Sequence, residues 1–294
     1  MKILLTGGSG FIGRNILESN LAKKYQLIAP RHAELDLVDD VAVAEYFSKN
    51  KFDVVIHAAI KPGHRNASDL NDLFYTHCRM FFNLAKHSGR YGRLINLSSG
   101  CAYDMHRRDL DKVAEESFGE VIPEDEHGFF RYIAGKHIES MDNAVDLRIF
   151  SIFGKYEEYA IRFISNAICK AIYDLPITIK QNRKFDFLFV EDLIPVLDYF
   201  IEHKPNFKSY NVTPDKSIEL YEVAEKIRKI YGKDLPIAVK KEGMEHSYSG
   251  SNERLRQEIS GLKLTSIDDA MKKLYDWYST NKKSINKELL LVDK

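Results

Sequence analysis

The chain has 294 residues, of which 44% are hydrophobic and 12% aromatic. This much apolar material can bury a large core, so the composition excludes a disordered chain. Lysine plus arginine and aspartate plus glutamate number 43 each, so no net charge recruits nucleic acid or an anionic membrane. We expect neither as a partner.

The cysteine content and the N-terminal segment bear on the cellular compartment of the protein. Cys78, Cys101 and Cys169 form no CxxC pair and are too few for a disulfide framework. Glycines interrupt MKILLTGGSGFIG before a secretory or membrane segment could form, and no long apolar run occurs elsewhere. We expect an unprocessed protein of the reducing cytoplasm.

Short apolar runs alternate with helix-compatible stretches in the first half of the chain. The predicted strands are 2–6, 25–29, 52–57, 93–97 and 145–150, and the predicted helices are near 11–23, 39–49, 69–88 and 129–143. Such alternation is typical of βαβ units, and runs that are apolar on both faces suit a sheet covered by helices. We predict an α/β fold with a Rossmann-type, doubly wound parallel sheet.

The regular alternation of predicted strands and helices ends after residue 150. Further helices are predicted near 159–172, 191–203, 219–231 and 267–278, with a strand at 235–239. We expect a dinucleotide-binding domain over 1–158, with a returning segment near 180–205. A smaller α/β substrate lobe over 159–294 is expected to interleave with it.

The glycine-rich segment TGGSGFIG follows the first predicted strand and opens the first predicted helix. Three of its four glycines, Gly7, Gly10 and Gly13, carry the argument. Glycine permits a tight turn and close approach of a pyrophosphate, and a helix N-terminus offers free N–H groups. This position predicts a dinucleotide-binding turn.

The second predicted strand ends in IAPRHAELD. Arg31 and His32 occupy the zone where an acid selective for NAD is expected, and Asp36 lies beyond the usual spacing. Arg31 favours NADP, because its guanidinium can pair with the 2′-phosphate, with Arg14 as a helper. The alternatives are a solvated loop arginine and NAD as the cofactor.

Tyr132 and Lys136 stand four residues apart on a predicted helix, so both side chains project from one face. A lysine ammonium near a tyrosine hydroxyl favours the phenolate, which can exchange a proton with a sugar hydroxyl or carbonyl. Ser99 follows the fourth predicted strand, at the sheet edge where open α/β folds bind ligands. We predict that Ser99 and Tyr132 act on the same substrate oxygen and that Lys136 favours the phenolate of Tyr132.

Together these motifs resemble the extended short-chain dehydrogenases/reductases, the nucleotide-sugar epimerase/dehydratase family. The matching segments are TGGSGFIG (6–13), ELDL (34–37), VVIHAA (54–59), LSSGCAY (97–103), YIAGK (132–136), RIFSIFG (148–154) and FDFLFVEDL (185–193).

The resemblance implies a role for each matching residue. Tyr132 would be the general acid/base, Lys136 would bind the nicotinamide ribose, and Ser99 would orient the substrate oxygen. The cofactor would also contact residues of the turn, the adenine site and the cleft, namely Gly7, Gly10, Phe11, Ile12, Gly13, Arg31, Asp36, Leu37, Ala58 and Ala59. Helices equivalent to 69–88 and 129–143 form a dimer interface in many relatives, so a homodimer is expected.

Departures from the family pattern bear on the substrate. Dehydratases place an Asp-Glu pair after the serine position, whereas this chain has Gly100 and Cys101, which argues against 4,6-dehydration. Cys101 aligns with an acid/base cysteine of the GDP-fucose synthases, but Arg162 takes the place of their histidine. Cys101 is therefore either a substrate-site group or a small buried filler.

Phe185 stands where a diphosphate-binding arginine is common in the family, so three other residues are candidates for the substrate site: Asn166, Arg183 and Arg254. The histidines show no HxxxH or HExxH spacing, so we expect no metal. His77 takes a position where the family more often has asparagine.

Three functions are compatible with these residues. The first is an NADPH-dependent reductase of a 4-keto sugar linked to a nucleotide. The second is a nucleotide-sugar 4-epimerase with tightly bound NAD, and the third is a non-catalytic NADP-binding sensor. Sensors tend to lose the tyrosine or the lysine, and this chain has both.

Overall fold

Apolar runs from both halves of the chain form one parallel sheet. The computed structural model describes residues 1–292, so residues 293 and 294 of the predicted lobe lie outside the described residues. The sheet contains, in chain order, β1 (Lys2–Thr6), β2 (Gln26–Ile28), β3 (Phe52–His57), β4 (Tyr91–Ser99), β6 (Ala144–Ile149) and β11 (Ser209–Val212). Its spatial order is β11-β6-β4-β3-β1-β2, and every pairing is parallel. The predicted α/β class and parallel sheet are confirmed.

Helices cover both faces of this sheet. They are α1 (Phe11–Leu17), α2 (Leu21–Lys24), α3 (Asp40–Lys49), α4 (Leu73–Ala85), α5 (Glu126–Glu139) and α7 (Leu193–Glu202). One face of the sheet packs against α1 and α7, and the other packs against α3, α4 and α5. This is the doubly wound arrangement, in which strands are buried on both sides.

Four predicted helices differ from the observed ones by three residues or more at an end. The helix predicted over 69–88 covers only Leu73–Ala85, and the helix predicted over 159–172 covers Phe163–Ile172. The stretch 11–23 divides into α1 and α2, because the Ser19 hydroxyl donates to the Ile16 carbonyl at 2.7 Å and ends the first helix. Helix α5 begins at Glu126, three residues before the predicted start, because the Asp125 carboxylate accepts from the Gly128 N–H at 2.8 Å and caps it.

Residues that follow β6 in the chain form a second hydrophobic core. Its helices are α6 (Phe163–Ile172), α8 (Leu220–Tyr231) and α10 (Ile267–Thr280), and a strand pair joins β8 (Ile177–Asn182) to β13 (Ile237–Met244). The remaining elements are β5 (Leu110–Val113), β7 (Ser151–Phe153), β9 (Lys184–Phe185), β10 (Phe187–Phe189), β12 (Ile218–Glu219), β14 (Tyr248–Gly250) and α9 (Glu253–Glu258).

The chain crosses between the two cores more than once. Residues of α7 and β11 pack in the first core, as do Leu255, Ile259 and Leu262. The four-stranded sheet β12-β9-β14-β5 then lies beside the ends of β4 and β6, where β14 contacts Phe150. Strand β14 therefore brings residues from late in the chain to the carboxyl edge of the main sheet. Among residues 1–292, no helix has the length and hydropathy needed to cross a bilayer.

Candidate functional site

The carboxyl ends of four neighbouring strands meet at one edge of the main sheet. The register pairs Thr6 with His57, His57 with Asn96, and Ser99 with Ile149. The glycine turn after β1, Ala58 after β3 and Ser99 at the end of β4 therefore share one edge. Open α/β sheets bind their ligands at this edge.

The glycine turn is closed tightly against its surroundings. Gly7 has φ +72°, and a Cβ there would lie 2.7 Å from the Ala58 backbone. A Cβ on Gly13 would lie 2.1 Å from the Gly7 carbonyl oxygen, whereas one on Gly10 would meet only that oxygen, at 3.3 Å. Gly7 and Gly13 thus shape the turn, and Gly10 leaves room beside the start of α1. No side chain caps α1, so its first N–H groups suit an anionic group.

Hydrogen bonds join the turn to β3. The Thr6 hydroxyl lies 2.8 Å from His57 Nδ1 and accepts from the Ala59 N–H at 3.3 Å. Phe11 and Ile12 are half-buried and pack against the second and first cores, respectively. The turn is therefore attached to both cores.

Two buried histidines at this edge stay neutral over a wide pH range. Burial lowers the pKa of His57 to about 3 and that of His77 to about 4. Because the unfolded chain binds these protons at about pH 6.5, it binds more protons than the folded chain below that pH. The stability that the neutral rings contribute is complete above about pH 6.5 and declines as the pH falls towards 4.

We expect His77→Asn to flatten the pH dependence of stability. Between pH 6 and 5 the free energy of unfolding should fall less steeply in the variant than in wild type. The two slopes should differ by about 1.4 kcal/mol per pH unit or slightly less, because the variant lacks nearly one proton of difference between the unfolded and folded states. Urea titrations at several pH values measure this slope. His32→Asn is the control, since the His32 side chain is 83% exposed. Equal slopes for His77→Asn and wild type would contradict the lowered pKa of His77 in the folded protein.

The residues predicted to hold the adenosine differ in their surroundings. Arg31 is exposed and its guanidinium makes no ion pair within residues 1–292, while its backbone N–H donates to Glu34 at 2.7 Å. Asp36 accepts from the Val38 N–H at 2.9 Å, and the Leu37 side chain is buried in the core beside α3 and α4. The Leu37 carbonyl accepts from the Asn83 side chain at 2.9 Å, so neither this carbonyl nor the side chain faces a ligand. Arg14 stacks on the Tyr156 ring, 3.6 Å from its centre.

Tyr132 and Lys136 share one face of α5. Both lie within 4 Å of the position that a Cβ on Gly119 would take. The Lys136 ammonium donates to Glu139 at 3.0 Å and lies 5.0 Å from the centre of the Phe118 ring, which also packs against Tyr132. Gly119, with φ +95°, thus leaves space for the two side chains that the sequence singled out.

Ser99 is bound by a residue that the sequence did not suggest. Its hydroxyl lies 3.2 Å from the Tyr248 hydroxyl and accepts from the Cys101 N–H at 3.3 Å. Tyr248 also lies 3.6 Å from the Cys101 sulphur. Because Tyr248 is 149 positions from Ser99 and belongs to no recognisable motif, only the folded structure identifies it.

Arg131 is a second residue that the sequence did not suggest. It is 5% exposed, its Nη1 donates to the Leu97 carbonyl at 3.0 Å, and its buried Nε has no partner among the described residues. Burial lowers the pKa of the guanidinium, and the nearby Cys101, Asp146 and Tyr248 oppose that effect. Arg131 therefore places a buried guanidinium against the Leu97 carbonyl of β4.

Position 100 has no room for a side chain. A Cβ on Gly100 would lie 2.7 Å from the Phe150 ring, and one on Gly250 would lie 2.4 Å from the opposite side of the same ring. The aspartate that dehydratases carry at this position cannot fit without moving Phe150. This packing is the physical reason for the glycine that the sequence has here.

The predicted substrate residues do not all come together. Arg183 lies 4.7 Å from the centre of the Phe185 ring, its Nε and Nη2 are buried without a hydrogen-bond partner among the described residues, and Glu245 is 3.8 Å away. Asn166 is buried on α6 and donates to the Ala160 carbonyl at 3.4 Å.

Arg254 lies in a separate ion-pair cluster. It is paired with Glu116, lies 3.9 Å from Glu115, and donates to the Ser209 carbonyl at 3.2 Å. Its charge is thus neutralised within the chain. In the described part of the chain, no three or more His, Cys, Asp or Glu residues form a metal-ligand group.

Comparisons with known proteins identify the family. The family described as NAD dependent epimerase/dehydratase matches residues 3–213. GDP-L-colitose synthase of Yersinia pseudotuberculosis is 27% identical over 274 residues, covering 82% of this chain and 88% of the relative.

Two solved structures share the fold. A GDP-L-fucose synthetase from Naegleria fowleri aligns with a TM-score of 0.82 and 16% identity, over 97% of this chain and 95% of that one. MlghC, a GDP-mannoheptose C4 reductase from Campylobacter jejuni with NADP bound, aligns with a TM-score of 0.78 and 21% identity, over 94% and 98% of the two chains. The match to residues 3–213 confirms the resemblance seen in the sequence, and the chain belongs to the NAD dependent epimerase/dehydratase family of enzymes.

Proposed function

We propose that this protein is an NADPH-dependent reductase of a 4-keto sugar linked to a nucleotide, with GDP as the preferred nucleotide. The observation that carries the proposal is the placement of Tyr132 and Lys136 on one face of α5, while Ser99 lies at the same sheet edge as the glycine turn. The names of the relatives, a GDP-L-colitose synthase and a GDP-mannoheptose C4 reductase, support a GDP-linked sugar.

The proposed cofactor fits the turn. The space beside Gly10 and the uncapped start of α1 suit a diphosphate, whereas Gly7 and Gly13 leave no room for side chains. When bound, NADPH supplies the hydride that reduces the keto carbon. Lys136 would hold the nicotinamide ribose, Tyr132 would donate a proton to the substrate oxygen, and Ser99 would orient that oxygen.

We assign the diphosphate of the substrate to Arg183. Its Nε and Nη2 are buried donors without partners among residues 1–292, and burial lowers the pKa of the guanidinium. An unpaired buried donor is costly, so an anionic ligand would be favoured there. Asn166 remains a candidate for the nucleotide, and Cys101 for the sugar. Arg254 is not assigned to the substrate, because its guanidinium is paired with Glu116 and donates to the Ser209 carbonyl.

Turnover and cofactor content test the proposal together. The purified protein is incubated with NADPH and with GDP-, UDP-, dTDP- and CDP-linked 4-keto sugars, and NADPH absorbance is followed. We expect one NADPH to be consumed per sugar reduced, with the GDP-linked substrate fastest. A protein that purifies with bound NAD and interconverts two nucleotide sugars without added cofactor would instead be a 4-epimerase. Binding of NADPH without any turnover would indicate a sensor.

We expect Arg31→Ala to weaken NADPH binding about 10- to 100-fold and to leave NADH binding nearly unchanged. Arg31 has no ion pair within the described chain, so its charge is available for a 2′-phosphate, and charge-assisted hydrogen bonds contribute about 1.5–3 kcal/mol. Fluorescence titration gives both dissociation constants. Arg90→Ala, on the short turn before β4, is the control. An equal loss for both cofactors would remove Arg31 from the phosphate site.

We also propose a cytoplasmic homodimer that pairs through α4 and α5. Tyr75 on α4 is 58% exposed, and a groove of 780 Å³ follows the C-terminal ends of the two helices, lined by Phe82 and Met141 among others. Light scattering should give twice the mass of the chain for wild type and the mass of one chain for Tyr75→Glu. A monomeric wild type would contradict the dimer.

We further propose a dinucleotide-binding domain over 1–158, with a returning segment near 180–205, and a smaller substrate lobe over 159–294 that interleaves with it. The packing of α7 in the first core supports the returning segment.

A further inference from the structure

Tyr248 contacts the proposed catalytic serine although it lies 149 positions later in the chain. It lies on β14, next to β5 and β9, and is 2% exposed. Its ring packs 5.0 Å from the Phe150 ring and 5.8 Å from the Phe185 ring, measured between centres. These contacts hold its hydroxyl 3.2 Å from the Ser99 hydroxyl.

The surroundings decide which hydroxyl donates. A buried phenol needs an acceptor for its proton, and the acceptors near Tyr248 are the Ser99 oxygen and the Cys101 sulphur. Oxygen accepts better than sulphur, and the Cys101 thiol donates to Met105 at 3.4 Å, so it cannot also donate to Tyr248. Burial keeps the pKa of Tyr248 well above its usual value, so the phenol retains its proton. Tyr248 therefore donates to Ser99.

Ser99 then has both of its lone pairs engaged. A serine oxygen has two acceptor sites and one O–H. The Cys101 N–H takes one site at 3.3 Å and Tyr248 takes the other, so the remaining hydrogen points away from both. A hydroxyl that accepts one hydrogen bond also becomes a stronger donor.

We propose that Tyr248 is a positioning residue that makes Ser99 a hydrogen-bond donor to the substrate carbonyl oxygen. This inference rests on the proposed reductase function. Tyr248 acts through Ser99 and does not itself contact the reacting carbon. Because Tyr248 belongs to β14, the strand also sets the Ser99 hydroxyl in its productive orientation.

Tyr248→Phe tests the proposal, because phenylalanine keeps the ring and removes only the hydroxyl. With NADPH and a GDP-linked 4-keto sugar, kcat should fall about tenfold, while KM and the NADPH dissociation constant stay within about twofold of wild type. Tyr91→Phe is the matched control, since Tyr91 is also buried and its hydroxyl makes one hydrogen bond, to the Leu84 carbonyl at 2.9 Å. It should leave kcat unchanged.

A double-mutant cycle with Ser99→Ala separates a positioning role from an independent one. If Tyr248 acts through Ser99, the double variant should have the kcat of Ser99→Ala alone. Independent effects that multiply, an unchanged kcat in Tyr248→Phe, or a rise confined to KM would each overturn the proposal.

Thermal unfolding of wild type, Tyr248→Phe, Ser99→Ala and the double variant tests the hydrogen bond without any substrate. The two single variants should lose more Tm in total than the double variant, because they share one interaction. Additive losses of Tm would overturn the inference even if the reductase function is correct. Conversely, a wild type that reduces no sugar, with non-additive losses of Tm, would reject the proposed function and retain the Tyr248–Ser99 bond.

Discussion

Replacing Tyr132 with phenylalanine should lower kcat about 100- to 10,000-fold, the range that a positioned general acid contributes. The side chain lies on the same face of α5 as Lys136, and Gly119 leaves space for both. Phenylalanine keeps the packing against Phe118 but has no proton to donate to the substrate oxygen. Steady-state turnover with NADPH measures kcat, and fluorescence titration of NADPH shows whether binding is retained.

Two further variants sharpen this test. Lys136→Met should also reduce kcat and should weaken NADPH binding, because the lysine is assigned to the ribose. Glu139→Gln is the control, since Glu139 pairs with Lys136 but lies outside the proposed chemistry. If Tyr132→Phe turned over the substrate at a rate near that of wild type, the assigned mechanism would be wrong.

Gly13→Ala should destabilise the protein by about 3 kcal/mol or more and abolish NADPH binding. The added methyl group would lie 2.1 Å from the Gly7 carbonyl oxygen and 2.7 Å from the Gly8 Cα, both of which are backbone atoms that cannot rotate away. Overpacking of this kind typically costs about 1–3 kcal/mol and sometimes more, and the backbone shift that relieves it would distort the turn.

Urea unfolding gives the loss of stability, and NADPH titration gives the loss of binding. Gly89→Ala is the control, because a Cβ there meets nothing within 4 Å and the backbone has no positive φ. That variant should match wild type in both measurements. If Gly13→Ala bound NADPH with unchanged affinity, the turn would not be the diphosphate site.

The parts of the fold that were predictable depend on local pattern. Strands β1 and β3 begin and end where the apolar runs do, because buried parallel strands are apolar on both faces. Strand β11, SYNV, was not predicted. Its Asn211 is buried in this edge strand. The side-chain oxygen accepts from the Tyr103 hydroxyl at 2.9 Å and the side-chain nitrogen donates to the Val113 carbonyl at 2.9 Å, so partners distant in the chain stabilise the polar side chain.

The residues of the site also divide into those set by local spacing and those set by distant contacts. The glycine turn and the pair Tyr132 and Lys136 were recognisable because their spacing along the chain already determines their spacing in space. Arg183 and Arg254 looked alike in the sequence, and only the structure separates them, since Arg254 meets Glu116 while two nitrogens of Arg183 stay unpaired among residues 1–292. Tyr248 depends on a contact across 149 positions, which no local pattern encodes.

The Phe150 ring, held between Gly100 and Gly250, restricts how this enzyme could acquire another activity. A single mutation that places an acidic residue at position 100 would disrupt packing before it could contribute chemistry. A viable route would first need a smaller side chain at 150, and that change alone would leave a void beside β14. Natural or laboratory evolution towards dehydration should therefore proceed through coupled substitutions at 100 and 150, with intermediates of reduced stability.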